Sequence, residues 1–69
     1  MEVFRTIAAD GRVWRIYDDN PFWHIYSIEY KKTFESGFIC WMPAFEPKNK
    51  IFNDLEEAKK VLDDLIKNN

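Results

Sequence analysis

Six apolar side chains near the C-terminus, Leu55, Ala58, Val61, Leu62, Leu65 and Ile66, recur at intervals of three and four residues. That is the period of an α-helix, and it lines the six along one stripe. The ends of the pattern carry matching signals. Asn53 can cap the first turn, and Glu56 three residues on completes a variant of the capping box. Asp54, Glu56 and Glu57 stand where the helix dipole favours negative charge. Glu56 with Lys60, and Asp63 with Lys67, are four-apart pairs worth about 0.2–0.5 kcal/mol each. The spacing predicts a helix over 54–67 whose stripe spans an arc of about 140°. Such a stripe covers one face of a sheet and no more.

The residues before the helix read as that sheet. Asp10-Gly11 is a tight hairpin signal, because this pair tolerates the positive backbone angles of a two-residue turn. Val3–Ala9 and Arg12–Tyr17 flank it as strands. Asp18-Asp19-Asn20-Pro21 is a polar turn cluster. Phe22–Tyr30, rich in aromatic and β-branched residues, follows as a third strand. Lys31–Ser36 turns the chain again, and the apolar Gly37–Met42 is a fourth strand closed by Pro43, which cannot donate to a ladder. The expected architecture is α+β: a four-stranded antiparallel sheet followed by one C-terminal amphipathic helix (ββββα), in a single small domain over 1–69.

Alternation assigns each strand residue to a face, and turn length carries the assignment across strands. With a two-residue turn at Asp10-Gly11 and a four-residue turn at Asp18–Pro21, one face collects Val3, Ile7, Trp14, Ile16, Trp23 and Ile25, joined by Phe38, Cys40 and Met42. The helix is expected to cover it. Phe4, Thr6, Ala8, Val13, Arg15, Tyr17, Phe22, His24, Tyr26, Ile28, Tyr30, Ile39 and Trp41 are expected on the uncovered face. Phe45, in the loop 43–52, is expected either to plug that face or to join a recognition loop, Pro43-Ala44-Phe45-Glu46-Pro47.

Composition bounds the function. A chain of 69 residues buries only about 60% of its unfolded surface. Six Phe, three Trp and three Tyr compensate, since each ring can bury roughly 150–250 Å². The single Cys40 excludes an intramolecular disulfide, and one Cys with one His argues against a structural zinc site. No cofactor or metal is expected. Met1–Asp10 lacks the apolar run of a secretory leader, and no segment approaches the roughly 18 apolar residues of a membrane span. A cytoplasmic protein without membrane contact is therefore expected. A net charge of −2 argues against bulk duplex binding, which calls for a strongly basic face.

Few residues suggest chemistry. Cys40 and His24 could pair as nucleophile and base, but the alternation puts them on opposite faces, and a buried structural thiol is the simpler reading. Asp18-Asp19 reads as turn chemistry and Asp63-Asp64 as a solvated helix side. No glycine-rich phosphate loop is present. The expectation is a non-enzymatic binding module, of a size that suits a regulator or inhibitor. It would contact a protein partner or a second copy through the uncovered aromatic face, with Tyr17, Tyr26 and Trp41 as anchors and Arg15 and His24 as polar orienters. Tyr and Trp suit such a role because they bring apolar area with a polar handle. The alternative is single-stranded or structured nucleic acid, with bases stacked on the same tyrosines and Arg12, Arg15, Lys31 and Lys32 holding the backbone.

Overall fold

A computed structural model describes residues 1–45 and 50–68. It is an α+β fold, an antiparallel sheet followed by one helix that packs on it. The elements are β1 (Glu2–Ile7), β2 (Val13–Asp18), β3 (Tyr26–Thr33), β4 (Ile39–Pro43), a short β5 (Ile51–Phe52) and α1 (Leu55–Lys67). Strand order is β1-β2-β3-β4, and β5 pairs with β3 beyond the end of β4. Pro43 stands opposite Glu29 and Phe52 opposite Tyr26. Nine steps of the edge chain thus span three steps of β3. The excess is even, so odd-numbered residues of β4 and β5 share a face.

Two hairpins close with the same turn. The Ala8 N–H donates to Arg12 O (2.9 Å) and the Gly11 N–H to Ala8 O (2.9 Å). The Phe34 N–H donates to Phe38 O (2.8 Å) and the Gly37 N–H to Phe34 O (2.9 Å). Each is a three-residue loop ending on a glycine at positive φ, +87° at Gly11 and +90° at Gly37, the left-handed position such loops require. The first loop is therefore Ala9-Asp10-Gly11 rather than the expected two residues. That single residue moves β1 by one register step, with Thr6 opposite Trp14 and Phe4 opposite Ile16. Phe4 and Thr6 turn to the helix, and Ile7 turns away from it. Val3 still packs against the core, because the register shifts between Glu2 and Phe4.

A second correction comes from the β2–β3 connection. Asp18 pairs with Tyr26, so the loop runs over 19–25. Asn20 takes up the extra residues by capping a helical turn. Its Oδ1 accepts from the N–H groups of Phe22 (2.9 Å) and Trp23 (3.1 Å), and its carbonyl accepts from the His24 N–H (2.8 Å). Pro21 suits the first position of such a turn. Phe22, Trp23 and His24 thus leave the strand they were expected in. The parity of β3 inverts: Tyr26, Ile28 and Tyr30 join Trp14 and Ile16 under the helix, while Ser27 and Glu29 take the opposite face.

The core is Trp14, Ile16, Ile28, Phe52, Ala58 and Leu62. Full burial of an aliphatic side chain such as Ile16, Ile28 or Leu62 contributes roughly 1.5–3 kcal/mol. Trp14 and Tyr30 meet at 5.4 Å between ring centroids. Cys40 and Met42 lie half-buried on the helix side of β4, as the alternation predicts, with Cys40 Sγ 3.6 Å from Met42 Sδ. Phe38 does not join the core; it is exposed beside Phe34. Ala44 and Phe45 pack against the core rather than against the uncovered face. Glu46 and Pro47 of the expected recognition loop lie outside the described residues.

The helix is capped one residue later than expected. Asp54 Oδ1 accepts from the Glu56 N–H at 3.0 Å. Glu56 meets Lys59 (3.7 Å) in place of Lys60, whereas Asp63–Lys67 forms at 2.8 Å. Asp63, first by its hydrogen bond and then by its charge, raises the Lys67 ammonium above its ordinary value. No helix among the described residues is long and apolar enough to cross a membrane.

Candidate functional site

The sheet face opposite α1 is built from alternate residues: Glu2, Arg5 and Ile7 of β1, Val13, Arg15 and Tyr17 of β2, Ser27, Glu29 and Lys31 of β3, Ile39 and Trp41 of β4, and Ile51 of β5. Arg15 is its centre. The guanidinium lies 4.0 Å from the Trp41 ring centroid and 4.8 Å from that of Tyr17. Its Nε donates to Glu29 Oε1 at 2.7 Å, and its Nη1 lies 3.9 Å from Glu2. Arg5 holds Glu2 through contacts of 2.8 and 3.1 Å and reaches across two strands to the Trp41 ring, 5.5 Å away. Hydrogen bonding from Arg5 holds the Glu2 carboxyl below its ordinary value; desolvation opposes this, and the charges of Arg5 and Arg15 add to it. Cations over ring faces contribute about 0.5–1 kcal/mol each at exposed sites. This face is therefore a bonded lattice of rings, guanidinium groups and carboxylates rather than a bare apolar sheet.

The rim is different. Ile7, Ile39 and Ile51 are 66%, 51% and 58% exposed, and all three belong to this face. Of the five expected contact residues, Arg15, Tyr17 and Trp41 come together here. Tyr26 does not: it faces α1 and packs on the core. His24 sits in the β2–β3 loop, its ring stacked on Tyr26 (6.0 Å, 11°) and its Nδ1 3.1 Å from Asp18 Oδ2. Desolvation would raise the buried Asp18 carboxyl. The hydrogen bonds from His24 and the Asn20 N–H, with the charges of His24 and the amino terminus, outweigh it and hold the group below its ordinary value.

The same loop carries a feature the sequence reading missed. Phe22 and Trp23 are 85% and 72% exposed, on a turn closed by Asn20, by the Asp19 N–H to Ile25 O bond (2.9 Å) and by His24 at φ +51°. The signal was present as Asn20-Pro21, a cap followed by the residue favoured at the first helical position.

Cys40 pairs with Lys32, and His24 stacks on Tyr26. Lys32 and Tyr26 are six residues apart on β3, about 20 Å at the rise of a strand, so thiol and imidazole do not converge. No group of three or more His, Cys, Asp or Glu side chains suited to a metal occurs among the described residues. The basic residues divide: Arg15 and Lys31 lie on the open face, while Arg12 stands over the Tyr30 ring (4.9 Å) and Lys32 over Phe34 (5.1 Å). Comparison with protein-family models, with curated proteins and with solved structures found no match.

Proposed function

We propose that this protein is a small non-enzymatic binding module that contacts a protein partner through the open sheet face. The observation that carries the reading is the gathering of Ile7, Ile39 and Ile51 around the Arg15–Trp41–Tyr17 centre, on the face opposite α1. Trp, Tyr and Arg are the residue types that dominate binding energy when buried between proteins. Here Glu29 and Glu2 fix Arg15 in advance, so little side-chain freedom is lost on contact. Trp41, Tyr17 and Arg15 are the anchors, and the isoleucines are the apolar area to be covered. Tyr26 and His24 drop out of the contact set.

Glu2 and Glu29 beside Arg15 would repel phosphate, and Arg12 and Lys32 lie off the face that holds Arg15 and Lys31; both points favour a protein over a nucleic acid. The test is affinity capture from lysate of the source cells, comparing the native chain with an Ile39→Lys/Ile51→Lys double variant. A protein retained in stoichiometric amount by the native chain and lost by the variant, with unchanged circular dichroism, is the expected result. Identical retention by both, or release of nucleic acid alone at low salt, would sink the reading.

A further inference from the structure

We infer that β1 is a pairing edge for a second copy of this chain, the two β1 strands running antiparallel about a two-fold axis at Thr6. The Ala8 N–H to Arg12 O bond (2.9 Å) makes Ala8 a hydrogen-bonded position facing β2. Bonded and non-bonded pairs alternate in an antiparallel ladder. Thr6 opposite Trp14 and Phe4 opposite Ile16 therefore point their backbone groups at β2, and Arg5 and Ile7 point theirs outward. Strand order puts β1 at the sheet edge. The outward N–H and C=O groups of Arg5 and Ile7 have no strand partner among the described residues.

The other edge is guarded and this one is not. Pro43 stands in the far edge strand, and proline on an edge is a recognised way of blunting strand addition. β1 has no proline, and its one irregularity lies between Glu2 and Phe4. The charge that could guard it, Arg5, is turned back over the sheet by Glu2 and Trp41.

Chemistry selects both occupant and register. Pairing about Arg5 would set it opposite the partner's Arg5, a repulsive pair. Pairing about Phe4 would engage the irregular segment at Val3. Pairing about Thr6 sets Arg5 opposite the partner's Ile7, and the outward groups of these residues exchange four backbone bonds. Thr6 then meets the partner's Thr6, a favourable cross-strand pair. Ile7, exposed in the single chain, is covered. A two-fold axis normal to the sheet keeps both helices on one side. Along this edge runs a groove of about 90 Å³ between β1 and α1, floored by Phe4 and Thr6 and walled by Leu62 and Ile66; the partner's Ala8, opposite Phe4, closes its open side. The result is a continuous sheet through both copies. It uses the backbone of the β1 edge, shares Arg5 and Ile7 with the open face described above, and does not depend on the binding role proposed for that face.

A contact of one strand on one strand lies at the small end of specific interfaces, so the dimer is expected to dissociate at about 10 μM to 1 mM. Sedimentation equilibrium over that range reads it directly. Ile7→Glu puts a carboxylate opposite the partner's Arg5 and should tighten the dimer about tenfold, whereas Ile7→Lys should weaken it about tenfold. Repulsion between whole molecules of net charge −2 would give the reverse order. Ile7→Pro removes an N–H that the chain's own ladder does not use, and should leave a folded monomer. If that variant fails to fold, the two charge variants still decide. Ile39→Lys, on the far side of the open face, should leave the dimer unchanged within about twofold. A monomer at all concentrations, the reverse order for the charge variants, or loss of the dimer in Ile39→Lys would overturn edge pairing. The last of these would point to association through the open face instead.

Discussion

The two faces of this sheet are made from the same kinds of residue and held by different physics. Under α1, Trp14, Tyr30, Ile16 and Ile28 exclude water and are stabilised by area. On the open face, Trp41 and Tyr17 are no less aromatic, yet their rings are occupied by guanidinium groups that carboxylates hold in place. Burial is cooperative and unforgiving, because a lost methyl leaves a cavity that its neighbours fill only partly. A half-wet polar lattice is local, and water replaces what a substitution removes. A chain this small can therefore vary its open face while its covered face stays fixed by folding.

One substitution made on both faces tests this most strongly. Ile28 is fully buried and Ile39 is exposed. Ile28→Ala should cost about 3 kcal/mol, which lowers the melting temperature by roughly 12–24 °C in a domain of this length. Ile39→Ala should stay within about 0.5 kcal/mol. Thermal melts followed by circular dichroism measure both. A comparable loss at Ile39 would mean that the open face also serves as core.

How much of this contrast the sequence discloses depends on loop lengths. The helix, the strand content and the β2 face pattern are legible, because periodicity is written in the residues themselves. The faces of β1 and β3 are not, because each hangs on the residue count of a turn. Asp10-Gly11 admits a two-residue and a three-residue loop, and the choice reverses the side chains from Phe4 to Ile7, up to the register shift that leaves Val3 on the core. Asp18-Asp19-Asn20-Pro21 is legible as a turn, but Asn20 also caps the turn that follows, and the strand resumes four residues later than composition suggests. Tyr26 moved from site to core for that reason alone. Arg15, Tyr17 and Trp41 stayed together because β2 needs no loop to fix its parity and β4 is set by its own alternation.

The next largest effect concerns Asn20, which decides that parity. Asn20→Ala removes the acceptor for two backbone N–H groups and should cost about 1 kcal/mol, as other helix caps do. Hydrogen exchange at Phe22 and Trp23 should quicken while the amides of Ile16 and Ile28 keep their protection. Uniform loss of protection would show that the loop is part of the core's cooperative unit. A smaller effect is expected on the open face. Arg15→Lys keeps the charge but loses the planar group that lies over two rings, and should cost about 0.5 kcal/mol. An unchanged melt would remove ring stacking from the account of that face.

The smallest effect is silent at neutral pH and emerges in acid. Glu2 on the open face and Asp18 at the end of β2 both have carboxyl groups held below their ordinary values, near 4. Between the folded and unfolded values the unfolded chain binds more protons, so stability rises with pH there. The contribution is complete above about pH 5 and is lost as pH falls through the folded values. Melting temperature should therefore decline from pH 5 to pH 2, and the decline should be shallower in Glu2→Gln and in Asp18→Asn. The two sites differ in what opposes ionisation. Asp18 is buried and keeps its charge against desolvation through His24, the Asn20 N–H and the amino terminus, whereas Glu2 is more exposed and depends chiefly on Arg5. Added salt screens exposed pairs more than buried ones. At 1 M salt the acid sensitivity attributable to Glu2 should shrink while that of Asp18 persists; equal screening at both would place the two carboxylates in the same electrostatic setting and erase the distinction between a wet face and a closed one.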